Sequence, residues 1–234
     1  TVSYKLAYYN KYLPQKSTTL YPTLGSTDDF VYGEFGIPAF CVEMGKKPEQ
    51  GGGFHPPCYH FEDDIWPGNK LTLLRGIKLA RRPYMDSYGP EVTFNSIPAN
   101  PVNPAQPMIV NVHIDDTLHS SYEGGIPSQN IVAYRYSIDK PSWIEGANPI
   151  TRSTSLGEPK GDVMIAVDVS HLSPGKHMIF VEGKDAAGNW GIPTAAWFTV
   201  GSAPMPTPTP VPTPGPDPMS NWIYLPIIVN PDMP

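Results

Sequence analysis

The sequence has little charge, and most of its charge is acidic. Asp, Glu, Lys and Arg make up 16% of its residues, against about a quarter in an ordinary globular protein. The net charge is −6, and no stretch rich in Lys and Arg is present to neutralise phosphates. Apolar runs are short, well below the roughly 18 residues that a membrane span requires. We therefore expect no nucleic acid partner and no membrane span.

Cysteine is scarce as well. Cys41 and Cys58 are the only two, too few for a structural zinc or iron–sulfur site. They are either free buried thiols, as in a cytosolic protein, or a disulfide that closes a short loop, as in an exported one. The start lacks the basic and continuous apolar parts of a signal peptide, so a signal has been removed or Thr1 is not the natural beginning. The 30 prolines favour a secreted or extracellular protein.

Residues 1–85 predict an incomplete α/β unit. Apolar residues spaced three or four apart predict a helix over residues 1–15, and a second helix over 69–82 that Pro83 ends. Residues 16–29 are typical of a loop, and Ala39–Val42 of a buried strand. We expect the second helix to have a broad apolar face, formed by Leu73, Leu74, Ile77 and Ala80.

Residues 86–200 have a different texture. Short segments rich in Val, Ile, Phe and Tyr alternate in part with polar residues, and turn residues separate them, which predicts an antiparallel β-sandwich. The stretch LSPGKHMIFVEGKDAAGNWG resembles the last hairpin of bacterial immunoglobulin-like modules, in which a DxxGN turn leads into the final strand. Asp185 either caps this turn or contributes to a calcium site. The predicted fold class is therefore mixed: an incomplete α/β unit followed by an all-β sandwich.

The end of the chain predicts a spacer and a tail. Residues 201–218 form a Pro/Thr-rich linker in which every second residue from Pro204 to Pro218 is proline. This composition favours polyproline II, about 45 Å long at roughly 3.1 Å per residue. The tail, 219–234, contains the apolar stretch NWIYLPIIVN, too short to cross a bilayer. It resembles the YLP-type tails of some exported bacterial proteins and is a candidate for cell-surface attachment.

An acid follows the predicted strand directly: Ala39–Val42 is succeeded by Glu43. Such a carboxylate is either solvated or ion-paired, or it lies in a cleft with a perturbed pKa, ready to move protons. Tyr21 precedes it by 22 residues, with the Asp28-Asp29 pair between them, and the loop GFHPP follows at residues 53–57. This order resembles the end of the catalytic domain in zinc metallocarboxypeptidases of the carboxypeptidase A and B type.

The resemblance implies a role for five residues. Glu43 would be the catalytic general base, and Tyr21 would close over the substrate on a loop. Asp28 would lie at the floor of the specificity pocket, where an acid binds the side chain of a C-terminal Lys or Arg. Cys41 and Phe54 would line the substrate cleft. The expected partners are therefore peptide or protein C-termini.

The zinc that the resemblance implies has no ligands in this sequence. No histidine precedes His55, so the zinc ligands are expected upstream of this chain. Two functions remain open. The chain is a C-terminal fragment of a secreted zinc metallocarboxypeptidase, inactive by itself; or it is a non-catalytic cell-surface or adhesion protein, built on the immunoglobulin-like module, that retains a relic of the peptidase.

Overall fold

The computed structural model describes residues 1–20, 25–45, 53, 55–97 and 100–201. In this part the protein is mixed α/β, with a few helices and two antiparallel sheets. The predicted tail and all of the predicted linker except Gly201 lie outside the described residues. No helix of the described chain is long and apolar enough to span a bilayer.

In the described part of the chain, five α-helices precede the sheets. The helix predicted at the start is confirmed but ends early, because Lys11 takes a left-handed conformation with φ 61°. The loop predicted over 16–29 is partly wrong: Ser26 caps a helix there, accepting a hydrogen bond from the Asp29 amide at 3.4 Å. The helices are α1 Val2–Asn10, α2 Ser17–Leu20, α3 Thr27–Phe35, α4 Trp66–Leu79, preceded by the π-helical turn Phe61–Ile65, and α5 Pro83–Asp86.

The strand predicted at Ala39–Val42 is wrong. Residues 36–44 form no helix or strand, and the Phe40 and Cys41 side chains are exposed. A strand needs a neighbouring strand to bond its backbone groups. Within the described residues the two sheets contain only strands from residue 91 onward, so this apolar run has no ladder to join.

Seven strands form the two sheets. The first sheet has the order β1-β2-β5, and the second has the order β4-β3-β6-β7. All pairings between neighbouring strands are antiparallel. The strands are β1 Glu91–Ser96, β2 Met108–Asp115, β3 Ile131–Ile138, β4 Ile150–Ser153, β5 Lys160–Val167, β6 Gly175–Asp185 and β7 Thr194–Val200.

The two sheets share one hydrophobic core. Alternate residues of β2 point inward, which buries Val110, Val112 and Ile114 almost completely. Ile165 from the first sheet and Phe198 from the second belong to the same cluster, each 1% exposed. The alternation seen in the sequence therefore corresponds to one buried face on each sheet.

The helices pack at one end of this two-sheet unit. Thr72 of α4 donates a hydrogen bond to the Leu6 carbonyl of α1 at 3.1 Å, and Leu79 packs in a small cluster with Val2 and Ile192. The backbone approaches closely at this junction. A Cβ atom on Gly191 would lie 1.7 Å from the Pro90 carbonyl oxygen, so only glycine fits there.

Candidate functional site

The acid singled out by the sequence is exposed. Glu43 lies on the irregular segment 36–44, and the Cys41 thiol donates a long hydrogen bond to its Oε1 at 3.6 Å. The pKa of the Cys41 thiol is raised. The main cause is slight desolvation of this largely exposed side chain, and the neighbouring Glu43 carboxylate contributes as well. The expectation of a carboxylate held in a cleft at a buried strand end is therefore wrong, because no such strand forms.

Of the other predicted site residues, Cys41 contacts Glu43, and the charge of Asp28 also contributes to the raised pKa of the Cys41 thiol. Asp28 lies in the first turn of α3, where a hydrogen bond with Ser26 and then backbone amides lower its pKa. This placement suits an acid that stabilises a helix N-terminus, rather than one at the floor of a pocket. Tyr21 and Phe54 lie outside the described residues.

The described residues around Glu43 contain neither a disulfide nor a metal site. Cys41 and Cys58 are both free and exposed. His60 interacts with Asp64 at 2.9 Å, four residues further along the chain. Within the described ranges, no group of three or more His, Cys, Asp or Glu side chains is placed to hold a metal ion.

A buried set of charges joins the helices to the first sheet; this is the feature that sequence reasoning missed. Arg75 of α4 forms an ion pair with Glu91 of β1, and Tyr9 of α1 donates a hydrogen bond to the same carboxylate at 2.7 Å. Both charged side chains are less than a tenth exposed. Among the described residues, Nε and Nη2 of Arg75 and Oε1 of Glu91 have no hydrogen-bond partner, so this ion pair is incompletely satisfied.

A second buried pair lies at the same junction. Lys5 of α1 is fully buried, with its Nζ 3.8 Å from Asp116 Oδ1 and 3.4 Å from the Gly89 carbonyl oxygen. Burial lowers the pKa of Lys5 to about 8 and raises the pKa of Asp116 to about 6. Between these values both groups are charged. We call the five residues Lys5, Tyr9, Arg75, Glu91 and Asp116 the junction cluster.

Helix α4 meets this cluster with its polar side. Asn69, Thr72 and Arg75, spaced three apart on one side of the helix, are each at most 4% exposed. The Asn69 amide donates hydrogen bonds to the Tyr12 hydroxyl at 3.0 Å and to the Ile65 carbonyl at 2.9 Å. The sequence signal for this orientation is the regular spacing of Asn69, Thr72 and Arg75.

Most of the large apolar side chains of α4 point outward instead, whereas Leu79 at its end is buried. Residues seven and four apart lie on the same side of a helix, so Trp66, Leu73 and Ile77 form a row with Leu74 beside it. They are 45%, 42%, 56% and 41% exposed, respectively. Phe61 stacks on Trp66 with ring centroids 6.4 Å apart and extends the row. We call Trp66, Leu73, Leu74 and Ile77 the α4 apolar stripe.

Comparison with known proteins gives only distant likenesses. No family model and no curated protein matches the chain. Among solved structures, wild-type OgpA from Akkermansia muciniphila is 17% identical with a TM-score of 0.33, covering 47% of this chain and 29% of its own. Catalytically inactive OgpA in complex with an O-glycopeptide substrate is 16% identical with a TM-score of 0.32, covering 54% and 35%. The polysaccharide deacetylase BC0361 from Bacillus cereus is 12% identical with a TM-score of 0.27, covering 47% and 30%.

These comparisons overturn the proposed resemblance to zinc metallocarboxypeptidases. The solved structures named above are hydrolytic enzymes, but they are an enzyme with a glycopeptide substrate and a deacetylase, not carboxypeptidases, and no family model or curated protein supports the resemblance. The chain spans about a third of their length. The roles assigned to Tyr21, Asp28, Cys41, Glu43 and Phe54 followed from the resemblance, and so did the upstream zinc; these roles lose that support.

Proposed function

We propose that this chain is a non-catalytic docking module of an exported protein, in which an immunoglobulin-like sandwich supports a helical layer that binds an apolar polypeptide segment. The strand arrangement supports the first part. Seven strands in sheets of three and four around one core are typical of immunoglobulin-like sandwiches. In this protein β4 pairs with β3, so β4 belongs to the same sheet as β6 and β7. Asp185 caps the last hairpin by accepting hydrogen bonds from the Asn189 amide and side chain at 2.7 and 2.9 Å.

The observation that carries the proposal is the orientation of α4. A surface helix normally buries its apolar face and exposes its polar one. Helix α4 does the reverse along most of its length: Arg75 pairs with Glu91, its polar neighbours form hydrogen bonds to residues 6–12, and the α4 apolar stripe faces outward. Contiguous exposed apolar surface marks a site of interaction with another polypeptide.

The energy available at the stripe suits a small docking contact. Complete burial of a Leu or Ile side chain contributes about 1.5–3 kcal/mol, and these four side chains are each roughly half buried already. Covering the remainder would therefore contribute several kcal/mol, from which the cost of association must be subtracted. A short apolar segment of a polypeptide is large enough to cover these four side chains.

The test measures binding of an apolar peptide to the full chain. Ile223→Ser, Leu225→Ser, Ile227→Ser and Val229→Ser are introduced so that the chain's own apolar tail does not compete; we call this the tail-substituted chain. The probe is a fluorescein-labelled peptide of nine residues, unrelated in sequence, with Leu and Ile alternating with Ser. We expect Leu73→Glu with Ile77→Glu to raise its Kd by at least about tenfold, as measured by fluorescence anisotropy.

The matched control is a second exposed apolar pair that is not on the stripe. Ile109 and Met164 are diagonal neighbours on the outer face of the first sheet, 42% and 67% exposed. Ile109→Glu with Met164→Glu should leave the Kd within about twofold of the parent value. Peptide binding that is equal in both double variants, or that depends on the control pair, would contradict the proposed function.

A further inference from the structure

We infer that the α4 apolar stripe binds residues 221–229 of its own chain, the apolar part of the C-terminal tail. This inference rests on the proposed function and names its ligand. The segment reads NWIYLPIIV, seven large apolar residues interrupted by one proline. Its length and composition match a stripe of four apolar side chains extended by Phe61.

Charge also favours this occupant. The stripe is bordered by Lys70, which is exposed, and by Lys78, one residue after Ile77. Lys78 is partly buried, and burial lowers its pKa to about 8, so that it is still charged at pH 7. The last 33 residues of the chain contain no Lys or Arg, and they contain Asp217 and Asp232 on either side of the apolar segment. A segment flanked by carboxylates and free of cations is electrostatically suited to a surface bordered by ammonium groups.

The length of chain that precedes the segment is sufficient for it to reach the stripe. The Thr194 hydroxyl at the start of β7 donates a hydrogen bond to the Val92 carbonyl at 2.6 Å, next to the Glu91 that binds α4. The seven residues of β7 lead away from that end over about 23 Å, at roughly 3.3 Å per residue. Crossing α4 adds about 10–12 Å. The Pro-rich spacer, with a sequence-predicted length of about 45 Å, exceeds the sum of these distances.

Attachment to the same chain makes a weak contact effective. A tethered segment experiences an effective concentration in the millimolar range when its linker matches the distance to be spanned. A segment with a Kd of about 100 μM for the stripe would therefore occupy it most of the time. A free partner with the same affinity would have to be present at a comparable concentration.

The experiment maps what lies against the stripe in the full chain. Ile77 is replaced by the photo-crosslinking residue p-benzoylphenylalanine, the purified protein is irradiated at several concentrations, and the adducts are located by peptide mass spectrometry. We expect a within-chain adduct to residues 221–229 whose yield is unchanged on dilution. The same adduct should fall at least fivefold in the tail-substituted chain, because the loss of four large apolar side chains should raise the Kd of the segment by about fiftyfold or more, above its effective concentration.

Placing the crosslinker at Met164 gives the matched control, for which no adduct to the tail is expected. Adducts from position 77 that join two chains, that map to another segment, or that are missing altogether would each overturn the inference. The proposed function is tested separately, because the unrelated peptide is offered to a chain whose own tail has been altered. Stripe-dependent binding of that peptide together with no tail adduct would retain the docking surface and reject the tail as its ligand.

Discussion

Glu91→Gln is expected to lower the free energy of unfolding by about 3 kcal/mol, measured by urea denaturation followed by circular dichroism. The substitution keeps the shape of the side chain but removes its charge. Arg75, 4% exposed and paired with Glu91, would then retain a buried positive charge without a counterion. Burial already lowers the pKa of Arg75 to about 9, so the guanidinium still carries its charge at pH 7. The penalty of leaving that charge unpaired is the source of the loss.

Two variants test this explanation. Asp162→Asn removes the acid of an exposed pair, in which the His113 Nδ1 lies 2.7 Å from a carboxylate that is 71% exposed, and it should cost less than about 1 kcal/mol. Arg75→Leu combined with Glu91→Gln removes both charges and should restore most of the stability lost in Glu91→Gln. If Glu91→Gln costs no more than Asp162→Asn, the ion pair does not hold α4 against the first sheet.

Asp116 should make the wild-type protein gain stability as the pH falls from about 6.5 to 4. Its carboxyl is 3% exposed, and burial raises its pKa to about 6 from an ordinary value of 3.8. The folded protein therefore holds a proton in this range that the unfolded chain releases. The stabilisation from this group is complete below about pH 4 and is lost as the pH rises through 6. Its size is roughly 2–3 kcal/mol.

The difference in unfolding free energy between wild type and Asp116→Asn isolates this effect from the other titrating groups. That difference should increase in favour of wild type as the pH falls, while Lys5, with a pKa of about 8, stays protonated throughout the range. Asp162→Asn provides a control of opposite sign, because hydrogen bonds to His113 and Asn95 lower the pKa of Asp162. A wild-type advantage over Asp116→Asn that stays constant with pH would show that Asp116 is not desolvated at the junction.

Periodicity in the sequence located several elements correctly. Apolar residues spaced three or four apart predicted α1 and α4, and both helices form, with different ends. Partial alternation predicted the strands between residues 86 and 200, because each sheet has one face on the shared core. Such patterns predict a helix or strand correctly where the buried residues of that element all lie on one of its faces.

The same patterns failed where contacts with residues far away in the sequence determine the structure. The sequence predicted a broad apolar face on α4, but the helix buries Arg75 instead, since Glu91, which also accepts a hydrogen bond from Tyr9, provides its partner from an element that the helix sequence cannot reveal. Ala39–Val42 was expected to be a strand, and no strand of the described chain lies beside it. The expectation of a carboxylate at the end of a buried strand depended on that strand, and Glu43 lies on an irregular, exposed segment instead.

The orientation of α4 is the central claim, and thiol labelling tests it most directly. Thr72→Cys and Ile77→Cys are compared in the tail-substituted chain, with Cys41→Ser and Cys58→Ser so that each protein has a single thiol. Thr72 is 3% exposed and Ile77 is 56% exposed, so the Ile77→Cys thiol should react as fast as a free thiol in solution. The Thr72→Cys thiol should react at least about a hundredfold more slowly, because it becomes accessible only when the helical layer opens. Faster labelling at position 72 than at 77 would show that α4 buries its apolar side and would contradict the docking surface.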